Sequence, residues 1–459
     1  MSTNQSPKAP RLPPREADLR RSEQPRPALA LTAALLGFAL ITLDTSIVNV
    51  ALPAVGDALG GGMSGLQWVV DAYTLPFAAL MLSTGAFADR AGASRAYALG
   101  ITVFTLASAA CGLAPTLWAL IAARVVQGAA AAVVLPASLA LVRQAYGDPA
   151  RRARAVAAWA AGGSVAVALG PVAGGALTTA WDWRSVFFVN LPVGAVALAL
   201  LTRAPRSQRR PTPLDLPGQV TAVVALTAVT FAVIERGTPG LVALAVASAA
   251  AVAFVRVESR QAHPVVPPGL FRSRNVSVAV AAGAAVSVAF YGLVFVFSLF
   301  FQQVQGRSAL QAGLLFLPMT ALIGVTNVVA GRLTGRYGPR LPMLVGLSSA
   351  ASGALLLLGV GEGTSPVVAA VLLVPMALGC ALTVPPLTAA MMEAVPAERA
   401  GLAAGVLNAA RQVAGGLAIA VFGALVSDGF VDGMRVGLLI SAGLLVVTAA
   451  ASVRLRRSS

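Results

Sequence analysis

The chain has 459 residues, 57% of them hydrophobic and only 11% charged, with a mean hydropathy of +0.81. Soluble domains carry about 25% charged residues and disordered chains need low hydrophobicity, so an ordinary water-soluble enzyme and a disordered polypeptide are both excluded. The net charge of +16 would point to nucleic acid in a soluble protein; here its meaning depends on where the charges fall.

Residues 1–27 are polar, Pro-rich and basic. They predict a disordered cytoplasmic tail, with no short apolar core and small-residue cleavage site to mark a signal peptide. Beyond them the apolar bulk is Ala, Val and Leu in long runs, the pattern of membrane-crossing helices and not of alternating β-barrel strands. A crossing helix needs about 20 apolar residues. Runs of that kind lie near 28–52, 66–88, 96–114, 117–142, 153–178 and 185–202. Two more follow near 216–235 and 240–256. The last six lie near 275–301, 309–331, 341–360, 366–392, 400–427 and 434–453. The expected fold is all-α and polytopic, with 14 transmembrane helices.

With the N-terminus inside, 27 of the 33 Lys and Arg fall in the tails and inner loops. Outer loops hold Arg184, Arg236, Arg307 and Arg435, and only Arg124 and Arg411 lie within spans. This asymmetry is the positive-inside rule. The basic balance is therefore topological, and no nucleic acid is required. The expected setting is a bacterial cytoplasmic membrane, with the bilayer as partner and both termini cytoplasmic. Cys111 and Cys380 sit inside apolar runs and support neither a disulfide framework nor a metal site. His263 lies in a polar connector and reads as a solvated loop residue.

The loop after the second span, GAFADRAGASR (Gly85–Arg95), resembles the loop after the tenth, GRLTGRYGPR (Gly331–Arg340). Both place Arg five residues after the first Gly, another Gly two further on, and then a basic residue; Asp89 of the first copy is Gly335 in the second. The separation predicts a repeat, which divides the chain. An N-terminal six-helix bundle covers 28–203, two inserted helices with their linkers 204–270, and a C-terminal six-helix bundle with a short basic tail 271–459. Internal repeats are the usual build of secondary transporters, whose substrate site lies between the repeats near the bilayer midplane.

An ionisable residue within a span is costly and marks function by default. Asp44, Asp71, Arg124 and Arg411 qualify, while Glu235 closes a span at the interface. A buried carboxyl can gain and lose a proton near neutral pH, which is the minimum chemistry of a proton-coupled carrier. Asp44 and Asp71 are candidate carriers. Asp71 can also dock a cationic substrate, and Arg124 can pair with either acid. A satisfied Asp44–Arg124 pair that only holds the bundle together is the structural alternative. Arg411 reads as a packing or inner-gate residue. In the fifth span Gly162, Gly163, Gly170, Gly174 and Gly175 surround Pro171. Such glycines allow close helix approach and the proline bends the helix. Asn49, Gln127, Asn327, Asn408 and Gln412 either line a wet cavity or bridge helices.

Together these residues resemble the major facilitator superfamily, and more closely its 14-helix drug:proton antiporters. LDTSIVNVALP (Leu43–Pro53) resembles the first-helix motif, with Ser46 where Thr is usual. GAFADRAGASR matches the gating motif at Gly85, Asp89, Arg90, Gly92 and Arg95, without its second basic residue near Ala93 and Ser94. RVVQGAAAA (Arg124–Ala132) is similar to the fourth-helix motif, whose Arg is implicated in proton transfer. GSVAVALGPVAGG (Gly163–Gly175) is similar to the antiporter helix motif, and WDWRSVFFVNLPVG (Trp181–Gly194) also fits. The layout resembles actinobacterial antibiotic-resistance exporters of the methylenomycin A type.

The resemblance implies export of small hydrophobic or cationic drugs in exchange for protons, with no cofactor, no metal and a functional monomer. A different cargo or direction, such as uptake or export of a metabolite or amino acid, is the alternative. An intramembrane enzyme would need clustered acids, a Ser/His pair or a metal set, and ATP-driven transport would need a GxxxxGK[ST] loop; the sequence offers neither.

Overall fold

The computed structural model describes residues 27–202, 215–235, 237–261, 264, 266, 268–395 and 400–453. The predicted tail, His263, Arg236, the arginines at 203–210 and 399, and the C-terminal Arg454, Arg456 and Arg457 lie outside the described residues. Every described element is helical. In order they are α1 (Pro27–Leu59), α2 (Gly62–Ala91), α3 (Ala93–Gly112), α4 (Leu117–Ala145), α5 (Pro149–Ala180), α6 (Ser185–Phe188) and α7 (Asn190–Leu201). Next come α8 (Leu216–Ile234) and α9 (Thr238–Arg260), then a 3-10 turn (Pro268–Arg272). The rest are α10 (Arg274–Leu299), continued by a π turn to Val304, α11 (Ala309–Leu315), α12 (Leu317–Tyr337), α13 (Arg340–Leu357), α14 (Pro366–Glu393), α15 (Ala400–Val426) and α16 (Phe430–Ser452).

Twelve of the described spans are long and apolar enough to cross a bilayer, or 13 when bent α2 counts as one span. The difference from the predicted count lies in the sixth span. Residues 185–201 are apolar but short, and are interrupted at Val189. Pro192 explains the break: it has no N–H to give the carbonyl of Phe188, four residues earlier.

Packing sorts the helices into two groups. In the first, α1 lies along α5 and α7, and α4 along α2 and α3; in the second, α14 lies along α12 and α13, α10 along α15, and α13 along α16. The glycines of α5 make the first of these contacts close. A Cβ on Gly163 would fall 2.0 Å from the Phe38 ring, one on Gly170 1.8 Å from Ser46 Oγ, and one on Gly174 2.4 Å from the Ile47 carbonyl. Pro171 is buried beside them.

Three seams join the groups, all toward the end of the bundle that carries Gly60. Gln67 of α2 donates to the Ala420 carbonyl of α15 (2.6 Å). Ser298 of α10 donates to the Asn49 carbonyl of α1 (2.8 Å), and Gln302 beside it to that of Val50 (3.1 Å). The Leu310 N–H of α11 donates to Thr179 Oγ1 of α5 (3.2 Å). Helix α8 packs on both α2 and α15, whereas α9 leans on α8 and on the 3-10 turn.

At the opposite end, the two loops of similar sequence share a backbone device. Gly92 (φ 90°, ψ 131°) ends α2 and opens α3; Gly338 (φ 76°, ψ 174°) ends α12 just before α13. Positive φ is open to glycine and strained for other residues. Gly92→Ala is therefore expected to lower stability by about 1–3 kcal/mol, checked by thermal unfolding in detergent, whereas Gly85→Ala, whose added Cβ meets nothing within 4 Å, should leave it unchanged.

Candidate functional site

Asp44 sits in the middle of α1, fully buried. Its Oδ2 accepts from Arg124 of α4 at 2.5 Å. Its Oδ1 accepts from Gln127, one turn further along α4 (3.0 Å), and from Asn190 at the start of α7 (2.9 Å). A buried charge is tolerable only when paired and hydrogen-bonded, and this carboxylate has three donors.

Arg124 is as fully engaged. Its guanidinium also donates to Gln127 Oε1 (2.8 Å) and to the Val69 carbonyl of α2 (3.1 Å), and it lies 4.3 Å above the Tyr73 ring. The main-chain reach is possible because Gly128 brings α4 onto α2: a Cβ there would fall 2.2 Å from the Tyr73 carbonyl oxygen. Asn190 donates also to Ser108 of α3 (3.0 Å), which donates to the Phe187 carbonyl of α6 (2.9 Å). Cys111 donates to Gln127 Oε1 (3.5 Å). Six elements of the first group thus meet at one buried ion pair.

Asp71 stands apart from this network. Two residues before Tyr73, it lies on a nearly opposite face of α2 and turns toward α15 at the seam. A Cβ on Gly416 of α15 would meet Thr74 Oγ1 at 3.0 Å and Asp71 Oδ1 at 3.4 Å. Asp71 is fully buried; its Oδ1 accepts from Thr74 (3.2 Å), and its Oδ2 has no hydrogen-bond partner among the described residues. Helix α2 therefore carries both features: one face pinned by Arg124, the other presenting a half-satisfied carboxyl to the second group.

The remaining candidates are dispersed. Gln127 belongs to the Asp44 network. Asn49 is buried, donates to the Thr45 carbonyl (3.0 Å) and leaves its Oδ1 without a partner among the described residues. Gln412 of α15 accepts from Tyr291 of α10 (3.2 Å). Arg411 is half-buried, its stem against Gly283 of α10 and its Nε without a partner among the described residues. Asn327 is half-buried on α12 and Asn408 is exposed on α15. Asp89, Arg90 and Arg95 are exposed beside Gly92, far along the chain from either acid. Gly163, Gly170 and Gly174 serve packing inside the first group, but Gly175 faces the second, where a Cβ would fall 2.4 Å from the Ala309 carbonyl.

Sequence reasoning missed Asn190, Ser108 and Gln67. Asn190 was visible as a lone amide in an apolar stretch next to the helix-breaking Pro192. Gln67, four residues before Asp71, shares its face of α2.

A polytopic helical bundle that holds its few ionisable groups between helices has the build of a membrane transport protein. The sequence model of the Major Facilitator Superfamily matches residues 34–419, and the chain belongs to that family. It is a multi-span membrane transport protein and not an enzyme. Among its relatives, "Multidrug resistance protein Stp" of Mycobacterium tuberculosis is 39% identical, over 87% of this chain and 76% of that one. "Methylenomycin A resistance protein" of Streptomyces coelicolor is 38% identical, over 86% and 84%. Among solved structures, a peptide transporter POT in complex with sulfate superposes with a TM-score of 0.71 at 17% identity, covering 95% of this chain and 96% of that one. That likeness concerns the fold.

Proposed function

We propose that this chain exports small hydrophobic or cationic drugs and antibiotics across the cytoplasmic membrane in exchange for protons, by alternating access. Relatives that carry resistance in their names support the cargo class. In this reading the protein has 14 spans, with 185–201 as the short sixth, arranged as two related six-helix halves around the inserted pair α8–α9. Both termini are cytoplasmic, the Gly60 end faces outward, and a monomer without cofactor or metal suffices. One proton crossing 100 mV supplies about 2.3 kcal/mol, enough for a solute gradient of roughly 50-fold.

Asp71 carries the coupling at the seam. Its carboxyl is buried, with one oxygen unpartnered among the described residues, opposite Gly416 of α15. A proton there, or a cationic substrate, supplies what that oxygen lacks while the seam is shut. When the seam opens, water reaches the carboxyl and either can leave. Asp44 and Arg124 exchange charge and hydrogen bonds within the first half, and α2 links the two sites.

A pump-deficient host expressing the chain should gain resistance to part of a panel of antibiotics and cationic dyes. In vesicles, an imposed pH gradient should then drive movement of the dyes so identified. Asp71→Asn, which keeps the shape and breaks no ion pair among the described residues, should cut gradient-driven movement at least tenfold with thermal stability unchanged. Full gradient-driven movement in that variant would remove Asp71 from the mechanism.

A further inference from the structure

Of the described membrane-crossing helices, α9 is the least covered by protein. Only 11% of its apolar window is buried, and Leu241, Val242, Leu244, Val252 and Val255 are exposed. In a bilayer, acyl chains cover such a face. Val252, Arg256 and Arg260 follow one another at intervals of four, so they form one stripe down the helix. Both arginines are exposed, at the Gly92 end of the bundle.

With Val257 and Gln261 the two arginines line a concavity of about 270 Å³. Its wall is held in place: Gln261 donates to Asp215 Oδ1 (2.6 Å), the carboxylate that also accepts from the Gly218 N–H (2.8 Å) at the start of α8. The nearby acids are turned inward. Asp215 is 5% exposed and Glu258 2%, and Glu258 Oε2 accepts from the Val266 N–H (2.9 Å). Among the described residues neither Arg256 nor Arg260 forms an ion pair. The 3-10 turn packed on α9 adds exposed Phe271 and Arg272, with Arg274 next to them.

We propose that this concavity is a headgroup site for an anionic phospholipid. The phosphodiester lies between the Arg256 and Arg260 guanidiniums, which suit phosphate oxygens through paired N–H donors. An acyl chain runs along Val252 toward the membrane centre. A free phosphate would use the arginines but leave the apolar stripe unused. Each arginine near an anionic lipid headgroup strengthens binding about fivefold, so the pair gives a preference of roughly 25-fold over a zwitterionic lipid.

The full-length protein is reconstituted into mixed phosphatidylcholine–phosphatidylglycerol vesicles, gently re-extracted, and its retained lipids counted by native mass spectrometry. The wild type should retain phosphatidylglycerol preferentially. Arg256→Gln/Arg260→Gln should bring the preference down to about that of the bulk mixture. Arg307→Gln, at the Gly60 end, should leave it intact. The replaced side chains are exposed, and an unchanged elution profile verifies the fold. Equal phosphatidylglycerol retention by the double variant and the wild type would overturn the proposal. So would displacement of the retained lipid by inorganic phosphate, which would make this a site for the free ion.

Discussion

Asp44→Asn and Arg124→Gln, made singly, should each lower the stability of the detergent-solubilised protein by about 3–5 kcal/mol, because each leaves the other charge buried without its partner. The double variant gives up donors that Arg124 supplies to Gln127 and the Val69 carbonyl, but it leaves no buried charge without its partner. It should recover part of that loss, since the largest cost of each single change is the uncompensated buried charge. Transport should separate from stability. The proposed role in coupling predicts that the refolded double variant still fails to move dye against its gradient. If stability and export return together, the pair is a fastening for the six elements that meet at it, and the coupling falls to Asp71 alone. Thermal unfolding combined with vesicle assays of the three variants decides between these roles.

Gly174 and Gly175 are neighbours in sequence, yet their substitution should have different consequences. Gly174 faces the Ile47 carbonyl within the first group, and Gly175 faces Ala309 and Leu310 across the seam. Gly174→Val should strain a permanent contact and cost about 1–3 kcal/mol of stability. Gly175→Val places the same strain only on the conformer in which the seam is shut. The fold should survive, while the balance between conformers shifts by roughly 5- to 150-fold toward the open side, and transport should fall with it. Disulfide formation between cysteines at Thr179 and Leu310, which meet at this seam, reports the shift. Efficient cross-linking in Gly175→Val would contradict it.

Much of this architecture is legible in the sequence because hydrocarbon is an unforgiving solvent. Each apolar run must be a helix, and each charge within one must find a partner. Asp44, Asp71 and Arg124 stand out for that reason. Arg124 had two acids to choose from, and the choice follows from Asp71 facing α15 on the far side of α2 while Asp44 faces α4, a tertiary fact. Asn190 does not stand out in the sequence, because an amide costs far less to bury than a charge and so interrupts the pattern less. Gln67 and Ala420, 353 residues apart, meet only because two groups of helices come together, and no local pattern records that. Gly163 through Gly175 read as one motif, but a helix turns by about 100° per residue, so adjacent glycines face different neighbours. The sixth span read as continuous because apolarity hid the effect of Pro192 on the Phe188 carbonyl.

Proton-coupled alternating access requires that the seam at the Gly60 end open and close, and that protons bias the change. Ala58 at the end of α1 and Glu362 in the connection before α14 are both exposed, and the two native cysteines are buried. Spin labels on cysteines at 58 and 362 allow the distance across that end to be measured by pulsed electron resonance in vesicles. We predict two distance populations whose ratio changes between acidic and alkaline buffer, with the ratio frozen in Asp71→Asn. A single distance, the same at both extremes of pH, would contradict proton-coupled alternating access in this protein.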